Sequence, residues 1–186
     1  MLLVATLLAL ARPIARGAMA SLATFAKFAP ALLVPMLLTY EPRRARIAFG
    51  ASFLLVAAAV MLWPAIDPGL HTFYDRTIAY QSTRDSPFSI WGQVPSLEPL
   101  RVAILIGTAA LSLFLAFRPR RKSLVQVAAL GAALLIALQL TMQHWFYLYI
   151  VWFFPLLLVA LATVSVRRGE VPEPSPARTS RPVPAG

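Results

Sequence analysis

The sequence predicts an all-α membrane protein, a polytopic bundle of transmembrane helices with one exterior loop helix, and three observations carry that prediction. Four apolar segments of 18 to 20 residues stand along the chain: Ala45–Trp63, Leu100–Phe117, Ser123–Thr141 and His144–Thr163. Each is long enough to cross the roughly 30 Å hydrocarbon core as a helix. Composition agrees, with 59% hydrophobic and 13% charged residues, where soluble domains carry about 25% charged residues. The connections are also asymmetric. Most are short arginine clusters, 41–46, 118–122 and Arg167-Arg168, whereas Pro64–Pro99 is a 36-residue loop with two arginines and four acidic residues. Short loops rich in Lys and Arg stay on the cytoplasmic side. The long loop is therefore expected outside and the tail inside.

Taken in order, Met1–Ala11 is apolar for only about ten residues and is followed, not preceded, by Arg12 and Arg16. A signal peptide needs its positive charge first. The segment reads as the end of a membrane helix whose start lies upstream, so the chain is expected to be the C-terminal portion of a longer protein. Met19–Tyr40 contains Lys27, Pro30 and Pro35. One straight span would leave Arg12 and Arg16 outside. A break near Lys27–Pro30 with a returning arm keeps both arginine groups inside, and proline breaks helices by removing an amide donor and clashing with the preceding turn. Irregular backbone at membrane depth then needs shielding by protein or a wet cavity.

The four spans alternate outward, inward, outward and inward without conflict. In the exterior loop, Asp67-Pro68 reads as an N-cap followed by proline at the first helical position, and Leu70, Phe73, Tyr74, Thr77 and Ile78 recur at helical spacing. A surface helix of 12–15 residues is predicted, ending before Pro87 because the residue before a proline disfavours helical geometry. Residues 1–163 thus form one bundle, the loop 64–99 included. The tail 164–186, rich in Pro, Ser and Arg, has the composition of disorder and is expected in the cytoplasm.

Several functions fall away. The net charge of +10 would suggest nucleic acid in a soluble protein, but 11 of the 17 cationic residues lie in the three clusters and the tail, where topology accounts for them. No nucleic acid partner is expected. With no cysteine and only His71 and His144, thiolate sites and paired-histidine haem or zinc motifs are excluded. No phosphate-binding glycine loop or serine elbow occurs. No cofactor and no metal are expected.

Chemistry is sought on the exterior side. Lys27 is the one ionisable residue deep in an apolar segment. It either holds a phosphate of a lipid-linked substrate or snorkels to the interface. Arg76 and Arg84 are suited to clamp an anionic headgroup, or else they pair with Asp75 and Asp85. The run Gln143-His144-Trp145-Phe146-Tyr147 combines donors with aromatic faces, as sugar recognition needs, and reads equally as an interfacial aromatic belt.

Three stretches together resemble a known family. Ala18–Pro35 (AMASLATFAKFAPALLVP), Arg84–Gly92 (RDSPFSIWG) and Gln143–Pro155 (QHWFYLYIVWFFP) are similar to motifs of bacterial polytopic glycosyltransferases of the GT-C class. More narrowly they resemble the alpha-mannosyltransferase-like family that uses polyprenyl-phosphate sugars. The resemblance covers most of residues 12–163. It implies transfer of a sugar from a polyprenyl phosphate to an acceptor at the outer membrane face. It implies substrate contacts from Lys27, Arg76, Arg84, Ser86, Trp91, Gln143, His144 and Tyr147. The family's catalytic carboxylate sits on an early exterior loop with no counterpart here, so this chain is expected to carry substrate-holding parts without the general base. The rival expectation is a non-enzymatic membrane protein, a transporter fragment or an assembly subunit.

Overall fold

A computed structural model of the chain describes residues 1–80, 89–142 and 149–169. It is all-helical, with no strand among the described residues. The helices are α1 (Leu2–Leu8), α2 (Pro13–Ala26), α3 (Val34–Leu38), α4 (Arg43–Ile66), α5 (Leu70–Tyr74), α6 (Ile90–Gln93), α7 (Glu98–Phe117), α8 (Leu124–Leu140) and α9 (Ile150–Gly169). A 3-10 segment, Ala29–Leu33, leads into α3, and another, Pro95–Leu97, leads into α7.

Two helices are long and apolar enough to cross a membrane, Arg43–Ile66 and the run Pro95–Phe117. Only 11% and 22% of their apolar windows is buried within the protein. Leu54, Leu55 and Leu62 of α4, and Ile106, Leu113 and Phe114 of α7, are exposed. Soluble monomers rarely expose contiguous apolar patches larger than a few hundred Å². The interior is built instead around α8, whose Val127, Ala128, Leu134 and Leu135 are buried against Leu33, Met36, Leu37 and Leu156. At 17 residues α8 is shorter than the predicted segment. Its start is set by a capping box: Ser123 Oγ accepts from the Gln126 amide, and Gln126 Oε1 accepts from the Ser123 amide.

The segment 19–40 is broken, and the break is at Lys27. Helix α2 stops at Ala26, and Lys27 is extended at φ −157° and ψ 123°. The cause is Pro30, which has no amide for the Ala26 carbonyl and whose ring clashes with that turn. The chain then returns through Ala29–Leu33 and α3. Ala29, Pro30 and Leu33 are buried, so the irregular backbone is covered by protein, and the Ser112 hydroxyl donates to the Leu32 carbonyl.

Both arms meet again at Arg16. This side chain is fully buried. Its Nη1 lies 2.9 Å from Glu41 Oε2 and donates to the Leu10 carbonyl. The guanidinium carbon sits 5.3 Å from the Tyr40 ring centre and 5.4 Å from that of Phe49. Nε and Nη2 have no hydrogen-bond partner among the described residues, so aromatic faces, which attract cations, take the place of acceptors. Beside it α2 and α4 approach closely: a Cβ on Gly17 would collide with Ser52 Oγ and the Phe49 carbonyl. Ser52 Oγ donates to the Ile14 carbonyl at 2.7 Å.

The loop after α4 departs from its expected form. Pro64 is accommodated within α4, which continues to Ile66. Asp67 closes that helix, its amide bonded to the Trp63 carbonyl, and so does not cap the next one. The N-cap position of α5 falls to Gly69 at φ 91°, a conformation open to glycine because it lacks Cβ. A single π turn, Asp75–Ala79, continues from α5. The tail from residue 170 onward lies outside the described residues, and so do residues 143–148, where the last span was expected to begin.

Removing the anion opposite Arg16 leaves a buried charge unpaired, which costs about 3–5 kcal/mol in a closed interior. Glu41 is 24% exposed, so Glu41→Gln is expected to lower unfolding free energy by about 2–3 kcal/mol, read from denaturant titration in micelles. A loss under about 0.5 kcal/mol would mean that the arms are joined without the pair.

Candidate functional site

The break at Lys27 and the π turn after α5 bring residues from distant parts of the chain to one cleft of about 760 Å³. That volume is of the size that ligands occupy. Lys27 comes from the tip of the α2–α3 hairpin, Arg76 from the π turn and Arg101 from the first turn of α7. Tyr149 and Trp152 supply an aromatic wall, and Ile78 and Leu105 an apolar flank.

The charges are poorly balanced. Arg101 is committed to Glu98: its Nε donates to Oε2 at 2.7 Å and its Nη2 to Oε1, while Nη1 lies 3.5 Å from the Thr141 carbonyl. Lys27 is exposed at the tip, with Nζ 5.4 Å from the Trp152 ring centre. Asp75, beside Arg76, faces His71 instead, with Oδ2 3.0 Å from Nδ1. Among the described residues no ion pair includes Lys27 or Arg76, and no carboxylate lines the cleft. Three cations, one of them neutralised by Glu98, therefore face a space bounded by aromatic and aliphatic groups. Such a space favours an anion carried on an amphiphile, since charge-assisted bonds to phosphate are strongest where water is scarce.

Of the residues singled out in the sequence, Lys27 and Arg76 line this cleft together. Arg84, Ser86, Gln143, His144 and Tyr147 lie outside the described residues. Trp91 is not at the cleft. It is 9% exposed in α6, and its indole Nε1 donates to the Leu140 carbonyl at 2.8 Å. It therefore fastens α6 to the end of α8. The Ser89 hydroxyl caps α6 from the front, accepting from the Gly92 amide.

Arg101 was passed over because Leu100–Phe117 read as apolar throughout. The signal was the Glu98/Arg101 spacing, an i,i+3 pair at a helix start. Tyr149 and Trp152 stand inside the aromatic run Gln143–Pro155, but nothing in that run distinguishes a wall of a cleft from an interfacial belt. No group of His, Cys, Asp or Glu among the described residues is arranged to hold a metal. No protein-family model, curated protein or solved structure matches the chain.

Trp91→Phe keeps most of the ring and removes the donor to Leu140. It is expected to cost about 1 kcal/mol of stability in thermal or denaturant unfolding, while binding of a lipid phosphate at the cleft stays within about twofold of wild type. A selective loss of binding at full stability would instead assign Trp91 to the ligand.

Proposed function

We propose that this chain is a polytopic membrane protein whose Lys27 cleft holds the phosphate of a polyprenyl-phosphate-linked sugar, as the substrate-holding part of a glycosyltransferase acting at the outer membrane face. The observation that carries the reading is the convergence of Lys27, Arg76 and Arg101 on one cleft with no lining carboxylate among the described residues. Phosphate answers the cations, an isoprenoid chain suits the apolar surface beside Leu105 and Ile78, and a sugar ring suits the faces of Tyr149 and Trp152.

In this reading α4 and α7 cross the bilayer. Helices α8 and α9 are two further spans, and the α2–α3 hairpin is a re-entrant element with Lys27 at its tip. The arginine clusters lie in the cytoplasm, and the loop 64–99 lies outside. The exposed Leu70, Tyr74 and Ile78 suit an element resting on the outer interface. The general base that sugar transfer requires would come from residues other than those lining the cleft.

That same lack of a lining carboxylate favours one second reading, a non-enzymatic subunit that binds lipid phosphate without acting on it. The two readings part on a single assay: transfer of labelled sugar from a polyprenyl-phosphate donor by membranes containing the protein supports the enzyme, and binding without transfer supports the subunit.

Purified protein in micelles is expected to bind polyprenyl phosphate at least about tenfold more tightly than the neutral polyprenol. Lys27→Met and Arg76→Gln should each remove most of that preference and leave polyprenol binding unchanged. Equal affinity of the wild-type protein for the two lipids would reject the phosphate site. For orientation, a reporter fused after Val94 is expected to be active only as an exterior fusion, and cytoplasmic activity would invert the topology.

A further inference from the structure

A second cleft lies at the other end of α7, about 24 Å along its axis from Arg101 at 1.5 Å per residue. Its volume is about 390 Å³, and it is lined by Thr39, Arg46, Ala116, Phe117, Arg118 and Arg120. Arg46 stands in the first turn of α4, and Arg118 and Arg120 follow the last residue of α7.

Among the described residues no carboxylate lines this cleft. The nearest along the chain, Glu41, is already opposite Arg16, and it offers Arg46 only its backbone carbonyl, which accepts from Nε at 3.0 Å. Among the described residues no hydrogen bond or ion pair engages either Nη group of Arg46. Lys122 adds to the crowding. It is buried, with Nζ donating to the Ala116 carbonyl at 3.1 Å, and its pKa is held below the ordinary lysine range by burial first and then by the charge of Arg46. Three arginines thus line a small space at the end of two helices of membrane-spanning length, with Lys122 held on the Ala116 carbonyl beside it.

Apolar surface adjoins these charges. Ile47 beside Arg46 and Phe117 beside Arg118 are 65% and 69% exposed. Planar guanidinium groups match phosphate oxygens two bonds at a time, and acyl chains need an apolar path next to them. Basic pockets between transmembrane helices are suited to anionic lipid headgroups for both reasons. We propose that the cleft between the start of α4 and the end of α7, formed by Arg46, Arg118 and Arg120, binds the phosphate of an anionic phospholipid headgroup. Helix α4 packs chiefly on α2, and α7 chiefly on α3, so the headgroup bridges two halves of the bundle that pack on different partners.

The test uses the whole protein in phosphatidylcholine nanodiscs titrated with phosphatidylglycerol, with lipid retention read by native mass spectrometry. Arg118 and Arg120 are exposed, so Arg118→Gln/Arg120→Gln is expected to keep the unfolding midpoint and lower phosphatidylglycerol retention about tenfold. Arg46→Gln provides an independent variant of the same site, with a loss in the same direction. Arg43→Gln/Arg44→Gln removes equal charge from exposed positions outside the cleft and should retain lipid within about twofold of wild type. Equal losses in the two double variants would overturn the site and leave only a general attraction of the basic face. Displacement of phosphatidylglycerol by inorganic phosphate at matched concentration would overturn a lipid as occupant and assign the cleft to a free anion.

Discussion

A charge that water cannot reach governs this fold. Arg16 is fully buried, and an ion withdrawn from water costs several kcal/mol unless its surroundings compensate. Compensation comes from four residues at three places in the sequence: the Leu10 carbonyl after α1, Glu41 and Tyr40 after α3, and Phe49 in α4. Those groups have to stand together for the arginine to be buried at all. The returning path of the chain after Lys27, the close approach of α2 to α4 at Gly17 and the position of Glu41 are therefore one constraint seen from three sides. The Lys27 tip is held away from that knot by the length of α2, which is how one arginine at the base of a hairpin fixes where a lysine at its tip can reach.

The cations of the two ends have different origins. Around Arg46 they come from two runs in the sequence, Arg43-Arg44-Ala45-Arg46 at the start of α4 and Arg118-Pro119-Arg120-Arg121-Lys122 after α7. Around Lys27 they come from residues 27, 76 and 101 and meet only because the chain folds. Convergence from afar is the more demanding arrangement. It brings together groups that repel, and among the described residues one carboxylate offsets this, Glu98, held by Arg101 on the same helix turn.

How much of this could be read beforehand follows from the range of each interaction. The all-helical class and the helices α4 and α7 were legible, because hydrophobic length and charged flanks are local. The break at Lys27 was legible as well, since Pro30 acts on the turn directly before it. Asp67 misled: Asp-Pro has the local look of a helix start, but α4 absorbs Pro64, so the same aspartate ends a helix. The burial of Arg16 was not legible, because an arginine flanking an apolar segment reads as an anchor until its four partners are known. Trp91 was singled out for a ligand; its indole is seen on a backbone carbonyl of α8, a contact 49 residues away that no short motif announces. Arg101 was hidden by the hydropathy of the segment around it.

The contrast between α4 and α8 has a consequence for how this sequence can drift. Helix α4 turns most of its apolar surface outward, where no neighbouring helix sets the shape of a side chain. Leucine, isoleucine, valine and phenylalanine are nearly interchangeable there. Helix α8 buries one face against its neighbours, and interiors packed as densely as organic crystals register the gain or loss of one methylene. Its Ala128, Gly131 and Ala132 admit little that is larger, with Leu156 and Leu33 already against Gly131. Lineages of this protein should therefore keep the letters of α8 and only the hydrophobicity of α4. In α4 the letters to be kept are few, Phe49 and Ser52 facing α2, so the helix that looks most regular in the sequence carries the least information about the fold.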